Sequence, residues 1–252
     1  GDIRILRPAG AVASATGRVL RLACRASRSS RNASGQRAPA ESTRSRGAGV
    51  VRAQAPDGRD VAPRAHILAA CNEYRQETVL LERSAQRGGF AFHAIGVGGP
   101  WGRLGTKLVL YDKALQELVG DVISPEDPVM LLDAWDTLVL GSAAELRSKL
   151  AAMNALGVDS RRVICAADRI CAPEHRLAPD LERLWPEIQL PWRYPNSGCL
   201  AGTGAALAEL LHNLVHCAGT FCGDYDDQLR LQEFVLESAN QGTPFPLVLD
   251  EE

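Results

Sequence analysis

Two carboxylates three residues apart, Asp133 and Asp136, lie in the otherwise apolar run LLDAWDTLVL at residues 131–140, with Trp135 between them. Charge at the end of a buried strand is costly unless something positive meets it. The chemistry open to such a pair is narrow. It can hold a divalent ion, one carboxylate can attack a phosphoryl group, or the two can simply be a solvated strand end. A second acidic pair, Asp226 and Asp227, stands in GDYDDQ at the start of a helix-forming stretch, where capping and dipole complementation compete with any chemical role. The segment GVGGPWGRLG, residues 96–105, carries glycines that let backbone approach a ligand closely, with a plain flexible turn as the alternative. Lys107 follows it at a helix start, and Asn196-Ser197-Gly198, taken as a bare tripeptide, is an ordinary turn.

These residues need a scaffold, and the hydropathy pattern describes one. HILAAC (66–71) reads as a strand and EYRQETVLLERSAQR (73–87) as a helix with Tyr74, Thr78 and Leu81 on one face. FAFHAIGV (90–97) is a second strand, and TKLVLYDKALQELVG (106–120) a helix ended by Gly120. DPVMLLDAWD (127–136) is the third strand. SAAELRSKLAAMNALG (142–157) is a helix opened by Ser142, with Glu145 in capping-box position. RVICAAD (162–168) is a fourth strand, GCLAGTGAALAELLHNLVH (198–216) a short strand turning into a helix, and YDDQLRLQEFVLES (225–238) a final helix. Such alternation implies an α/β domain with a mostly parallel sheet and helices on both faces. Ligands of these sheets sit at the carboxyl ends of the strands, where Asp133 and Asp136 fall.

The net charge of −2 conceals two kinds of polypeptide. Residues 1–64 carry 13 arginines, no lysine and 4 acids, a formal +9, while the remainder carries 15 basic against 26 acidic residues, or −11. The Arg/Ser/Ala/Gly-rich first segment has too little apolar surface to offset chain entropy and is expected to be a disordered arm. Its composition resembles an organelle transit peptide. A nucleic-acid tail is disfavoured, because no Lys, Tyr or Phe is interleaved with the arginines. No run of 18 apolar residues exists, so no membrane span is expected. The seven cysteines form neither CxxC pairs nor finger spacings, which argues against structural zinc, and Cys165/Cys171 and Cys217/Cys222 are the candidate pairs for an oxidising compartment.

Taken alone, LLDAWDTLVL resembles a haloacid-dehalogenase-type phosphatase, with Asp133 as nucleophile and GDYDD as a late magnesium motif. That family opens its domain with the nucleophile strand, whereas here two strands and two helices come first. Residues 65–250 resemble, block by block, the glycosyltransferase domain of the procollagen lysyl hydroxylases. The matching pieces are GVGGPWG with Lys107 after it, VMLLDAWDTLVLGSAAEL, CAADRICAPE, WPEIQLPWRYPNSGCLAG, DYDDQL and PLVLDEE, in the family's order.

The resemblance implies a GT-A fold over residues 65–252, a UDP-galactose or UDP-glucose donor, Mn²⁺, and a hydroxylysine-bearing protein acceptor. It implies that Asp133 and Asp136 hold the metal and that Trp135 stacks on uracil. Lys107 would meet the donor phosphates, and Val97, Gly98, Gly99 and Trp101 would form a loop over the nucleotide. Asn196, Ser197 and Gly198 would bind the sugar, with Asp226 and Asp227 beside the transferred sugar and acceptor. The implied compartment is the endoplasmic reticulum or Golgi lumen. The family's further metal-ligating histidine, downstream of its Asp-Asp-Gln block, has no match among His66, His93, His175, His212 and His216, so the expectation is a C-terminally truncated domain. A non-catalytic UDP-binding or scaffold module is the remaining alternative.

Overall fold

The computed structural model describes residues 22–24, 51–52, 64–155, 162–188, 190–216, 224–242 and 247–250. The elements, in chain order, are β1 (Leu22–Cys24), β2 (Val51–Arg52), β3 (His66–Ala70), α1 (Gln76–Arg87), β4 (Ala91–Ile95), α2 (Thr106–Leu118), β5 (Pro128–Asp133), β6 (Thr137–Val139), α3 (Ala143–Ala155), β7 (Val163–Asp168), α4 (Ala178–Leu184), β8 (Tyr194–Thr203), α5 (Gly204–His216), α6 (Asp227–Asn240) and β9 (Leu247–Asp250). The arm expected over residues 1–64 lies outside the described residues except for β1, β2 and Arg64.

Seven strands form one sheet in the order β2-β4-β3-β5-β8-β7-β9. β3 pairs parallel with β4 and β5, and β7 parallel with β9, while β8 runs antiparallel between β5 and β7. The strands β4, β3, β5, β7 and β9 therefore share one direction, and the sheet is mostly parallel, as expected. β2 adds antiparallel to β4, and β1 pairs with β6 in a separate two-stranded ribbon.

Both faces are covered, and the strands show it residue by residue. Leu68, Val129, Leu131, Val163, Cys165, Leu247 and Leu249 point into a core with α2, α5 and α6. Their neighbours Ile67, Ala69, Met130, Leu132, Ile164 and Val248 point the other way, into a core with Leu81 and Ala85 of α1 and Leu146 and Leu150 of α3. This is the period-two alternation of a strand buried on both faces, which in sequence reads as a continuous apolar run.

Local signals set several boundaries. The expected capping box is formed: Glu145 N–H donates to Ser142 Oγ at 3.2 Å, and Ser142 N–H donates to Glu145 Oε2 at 2.7 Å. The bonds that the Glu145 carboxylate accepts from the Ser142 N–H and hydroxyl lower its pKa. Gly120, at φ +95°, turns the chain out of α2 in a conformation that other residues adopt only with strain. Three expectations are corrected. α1 starts at Gln76, so Tyr74 stands before it and is exposed, with Thr78, Leu81 and Ala85 as the buried stripe. β8 starts at Tyr194 and runs ten residues, longer than the short strand expected. Cys165 and Cys171 are both buried free thiols, with Cys165 Sγ near the Asn196 carbonyl and Cys171 Sγ near that of Glu174. Cys217 and Cys222 lie outside the described residues.

Candidate functional site

The carboxyl ends of β3 and β5, the start of β8 and the amino ends of α2 and α6 surround an open cleft of about 1090 Å³. Topology explains the convergence. β8 runs opposite to β5, so its first residues lie beside the last residues of β5, with Leu132 opposite Cys199.

Lys107 occupies the centre. Only 8% exposed, it is no surface lysine. Its Nζ donates to Asp133 Oδ1 at 2.7 Å and to the Ser197 carbonyl at 3.4 Å, and pairs with the buried Asp227 carboxylate. Burial by itself would lower its pKa, but the Asp133 and Asp227 carboxylates hold the ammonium above its ordinary value. One helical turn on, the Tyr111 hydroxyl donates to the Leu132 carbonyl at 2.7 Å and accepts from Ala70 N–H at 3.1 Å. It joins the ends of β3 and β5 beneath the cleft, and burial raises its pKa.

Asp133 presents its second oxygen toward Gly198, where an added Cβ would lie 2.7 Å from Oδ2 and 2.8 Å from Asn196 Oδ1. A side chain at this position would have to push those two polar groups from their places. Asn196 Oδ1 accepts from Gly198 N–H at 2.6 Å, and its amide donates to Asp168 Oδ2 at 2.8 Å. Ser197 Oγ donates to Asp227 Oδ2. Asp226 caps α6, accepting from Leu229 N–H at 2.9 Å, and it also lines the cleft. Asp136 lies at the mouth, and partial burial followed by the Asp133 charge raises its pKa above the ordinary carboxylate range. Trp135 lines the same mouth, with the Arg75 guanidinium 4.0 Å over its ring.

Most of the expected site residues therefore meet: Trp101, Lys107, Asp133, Trp135, Asp136, Asn196, Ser197, Gly198, Asp226 and Asp227 all line the cleft. Val97 and Gly98 do not line it. Val97 packs against the core on the α1 and α3 side, while Gly98, at φ +76°, donates its N–H to the Asn72 carbonyl at 2.8 Å. Two cleft groups, Arg75 and Gln228, and one partner behind the lining, Asp168, were missed. Arg75 sits in a polar loop with no motif around it. Asp168 ends β7 as Asp133 ends β5, a position that could have identified it. Gln228 follows the acidic pair and donates to Asp168 Oδ2 at 3.3 Å and to the Ala172 carbonyl at 2.8 Å.

The lining balances poorly in charge. Two cations, Arg75 and Lys107, face five carboxylates, Glu77, Asp133, Asp136, Asp226 and Asp227, a formal excess of three negative charges. Asp133 and Asp136 offer only hard oxygen donors, a set that suits Mg²⁺ or Mn²⁺ better than softer ions. Both line the cleft with carboxylate oxygens, and the lining carries more negative than positive charge, so these two residues fit a divalent cation.

An open, mostly parallel sheet with a polar cleft at its carboxyl edge defines an α/β ligand-binding domain. Residues 64–252 match the family model described as the PLOD GT domain, and the chain belongs to that family. It is a glycosyltransferase, a class that draws on a nucleotide-sugar donor, and that membership decides against the phosphatase reading. Among solved structures it is similar to a glycosyltransferase involved in the glycosylation of the major capsid of PBCV-1, at 15% identity over 74% of this chain and 82% of that one, with a TM-score of 0.43. No curated protein matches it. Among the described residues, no helix is long and apolar enough to cross a membrane.

Proposed function

We propose that the cleft binds a UDP-hexose, UDP-galactose or UDP-glucose, together with Mn²⁺, and transfers the sugar to a hydroxylysine-bearing protein in the lumen of the secretory pathway. The observation that carries this reading is the charge of the cleft: with three negative charges in excess, it repels a diphosphate until a cation is present. Asp133 and Asp136 are the residues that hold the cation. When bound, a divalent ion neutralises the charge that builds on the departing diphosphate.

The chain's own groups do the rest. Lys107 offers its ammonium to the diphosphate from a fixed position, because Asp133 and Asp227 hold it from two sides. Trp135 presents a ring face to the base, and Arg75 above it must yield that face or add its own plane to the stack. Asn196 and Ser197 orient the sugar hydroxyls. Their own partners, Asp168 and Asp227, keep both side chains from rotating freely. Asp226 and Asp227 face the acceptor side.

Calorimetric titration of UDP with and without Mn²⁺ tests the reading. The parent should need Mn²⁺ for binding, and Asp136→Ala should lose at least about tenfold in Mn²⁺-dependent affinity while staying folded. Equal UDP affinity in the variant would remove Asp136 from the metal site. Transfer to a hydroxylysine peptide, with each UDP-hexose in turn, identifies the donor and acceptor.

A further inference from the structure

We infer that Asp112, His212 and His216 form a second metal site, separate from the cleft, that takes a Zn²⁺-class divalent ion and ties α2 to α5. Their ligand atoms all lie within 4.8 Å of one another. The site is built by two packed helices. His212 and His216 stand four residues apart on α5, so they share one face with a rise of about 6 Å between them. Their rings lie side by side, with centroids 4.5 Å apart. Asp112 comes from α2, whose Leu108 and Leu115 share a core with Leu207 and Leu211 of α5.

The geometry is close to a ligand set. His216 Nε2 is 3.0 Å from Asp112 Oδ2, and His212 Nδ1 is 4.0 Å from Asp112 Oδ1. A tetrahedral ion with bonds near 2 Å holds its ligand atoms roughly 3.3 Å apart. Small rotamer changes in two exposed imidazoles supply the difference. The carboxylate already has the outer partner that such sites use, since Gln116 Nε2 donates to Asp112 Oδ1 at 2.9 Å.

Electrostatics supplies an independent reason. The Asp112 side chain is only 7% exposed, yet among the described residues no lysine or arginine pairs with it. A buried carboxylate ordinarily has a cation beside it. The two imidazoles that approach it are 60% and 51% exposed. An ion can therefore enter, and water can complete its shell. Two imidazoles with one carboxylate select Zn²⁺, Co²⁺ or Ni²⁺ over Mn²⁺, the reverse of the all-oxygen pair in the cleft. Asp112 lies five residues along α2 from Lys107, about 7.5 Å of helix rise. An ion that fixes α2 against α5 thus also steadies the helix that carries the central lysine.

The test uses the full chain stripped with chelator and titrated with Co²⁺ and Zn²⁺. The parent should bind one Co²⁺ at this site with visible ligand-field absorption, beside any held by the cleft carboxylates, and Zn²⁺ should displace it and raise the melting temperature. The doubly substituted His212→Ala/His216→Ala chain should lose the absorption and the Zn²⁺ shift, with at least a tenfold fall in affinity. Its metal-free melt should fall somewhat, because Asp112 loses its 3.0 Å contact with His216, so the Zn²⁺ shift is read against each chain's own metal-free melt. Asp136→Ala should leave the Co²⁺ spectrum intact. No Co²⁺ absorption in the parent would overturn the assignment. So would absorption that survives loss of both histidines or vanishes with Asp136→Ala.

Discussion

Replacing Lys107 by methionine keeps the reach of the side chain and deletes its ammonium. Two carboxylates then lose their counter-charge at once. Asp227 is 7% exposed at its side chain and is left with the Ser197 hydroxyl as its remaining partner in the cleft floor. Asp133 is 37% exposed and recovers part of its loss from water. Stranding one partner of a buried pair costs about 3–5 kcal/mol, and the hydration of Asp133 places this case near the lower end, at about 3 kcal/mol. In a domain of this size each kcal/mol shifts the melting midpoint by about 2–4 °C, so Lys107→Met should melt about 6–12 °C lower. Urea unfolding at neutral pH measures the same quantity through its midpoint at unchanged slope. Adding Asp227→Asn removes the stranded charge, and the double variant should regain about 1–2 kcal/mol over Lys107→Met alone. A loss below about 1 kcal/mol, or strict additivity of the two substitutions, would refute the view that Lys107 is the internal counter-ion of the cleft.

Gly198→Ala forces a Cβ against Asp133 Oδ2 and Asn196 Oδ1, and overpacking of this kind costs about 1–3 kcal/mol. Because the displaced groups line the cleft, Mn²⁺-dependent UDP affinity should fall by more than the melt predicts; paired calorimetry and thermal unfolding check this. Asp136→Asn tests the raised carboxyl. A folded-state pKa above the unfolded one penalises the native state once the group ionises, so the penalty grows as pH rises through the ordinary carboxylate range and persists at neutral pH. The asparagine variant should therefore be more stable than the parent at pH 7, with the gap closing on acidification below that range; a urea series across pH follows it, and a gap that widens in acid contradicts the assignment.

The layers of the fold were legible because their signals are local. Continuous apolar runs ending in an aspartate mark β5 and β7, and Ser142 with Glu145 marks the start of α3 within one residue. β8 was harder to read. Pro195 lies inside it, opposite Ala167, where β7 and β8 resume pairing after a register shift at Cys165/Ala166. A proline lowers any strand expectation, and here it stands where β8 is paired on one side, because β5 pairs with β8 only from Cys199 on. Within the cleft, the acidic pairs and the Asn-Ser-Gly turn carry motifs, whereas the burial of Lys107 does not. A lysine after a glycine loop looks exposed until the chain brings Asp133 and Asp227 to it from 26 and 120 residues away. Arg75 and Gln228 are common polar residues whose roles arise only from what they face.

The separation of those partners has a consequence for how the domain acquires activity during synthesis. Lys107 reaches Ser197 across 90 residues, and Asp227 belongs to the last helix of the described chain. A nascent chain that has completed β3 to β5 already owns Asp133 and Asp136, yet its lysine has neither its second carboxylate nor the β8 carbonyl. Long-range contacts of this kind form late, because loop closure must precede them. With the site proposed above, donor competence therefore arrives with the docking of α6. On the role proposed for Lys107, a molecule stalled before that step presents an acidic groove whose lysine is not yet held for a diphosphate, so nucleotide binding would stabilise only the finished fold.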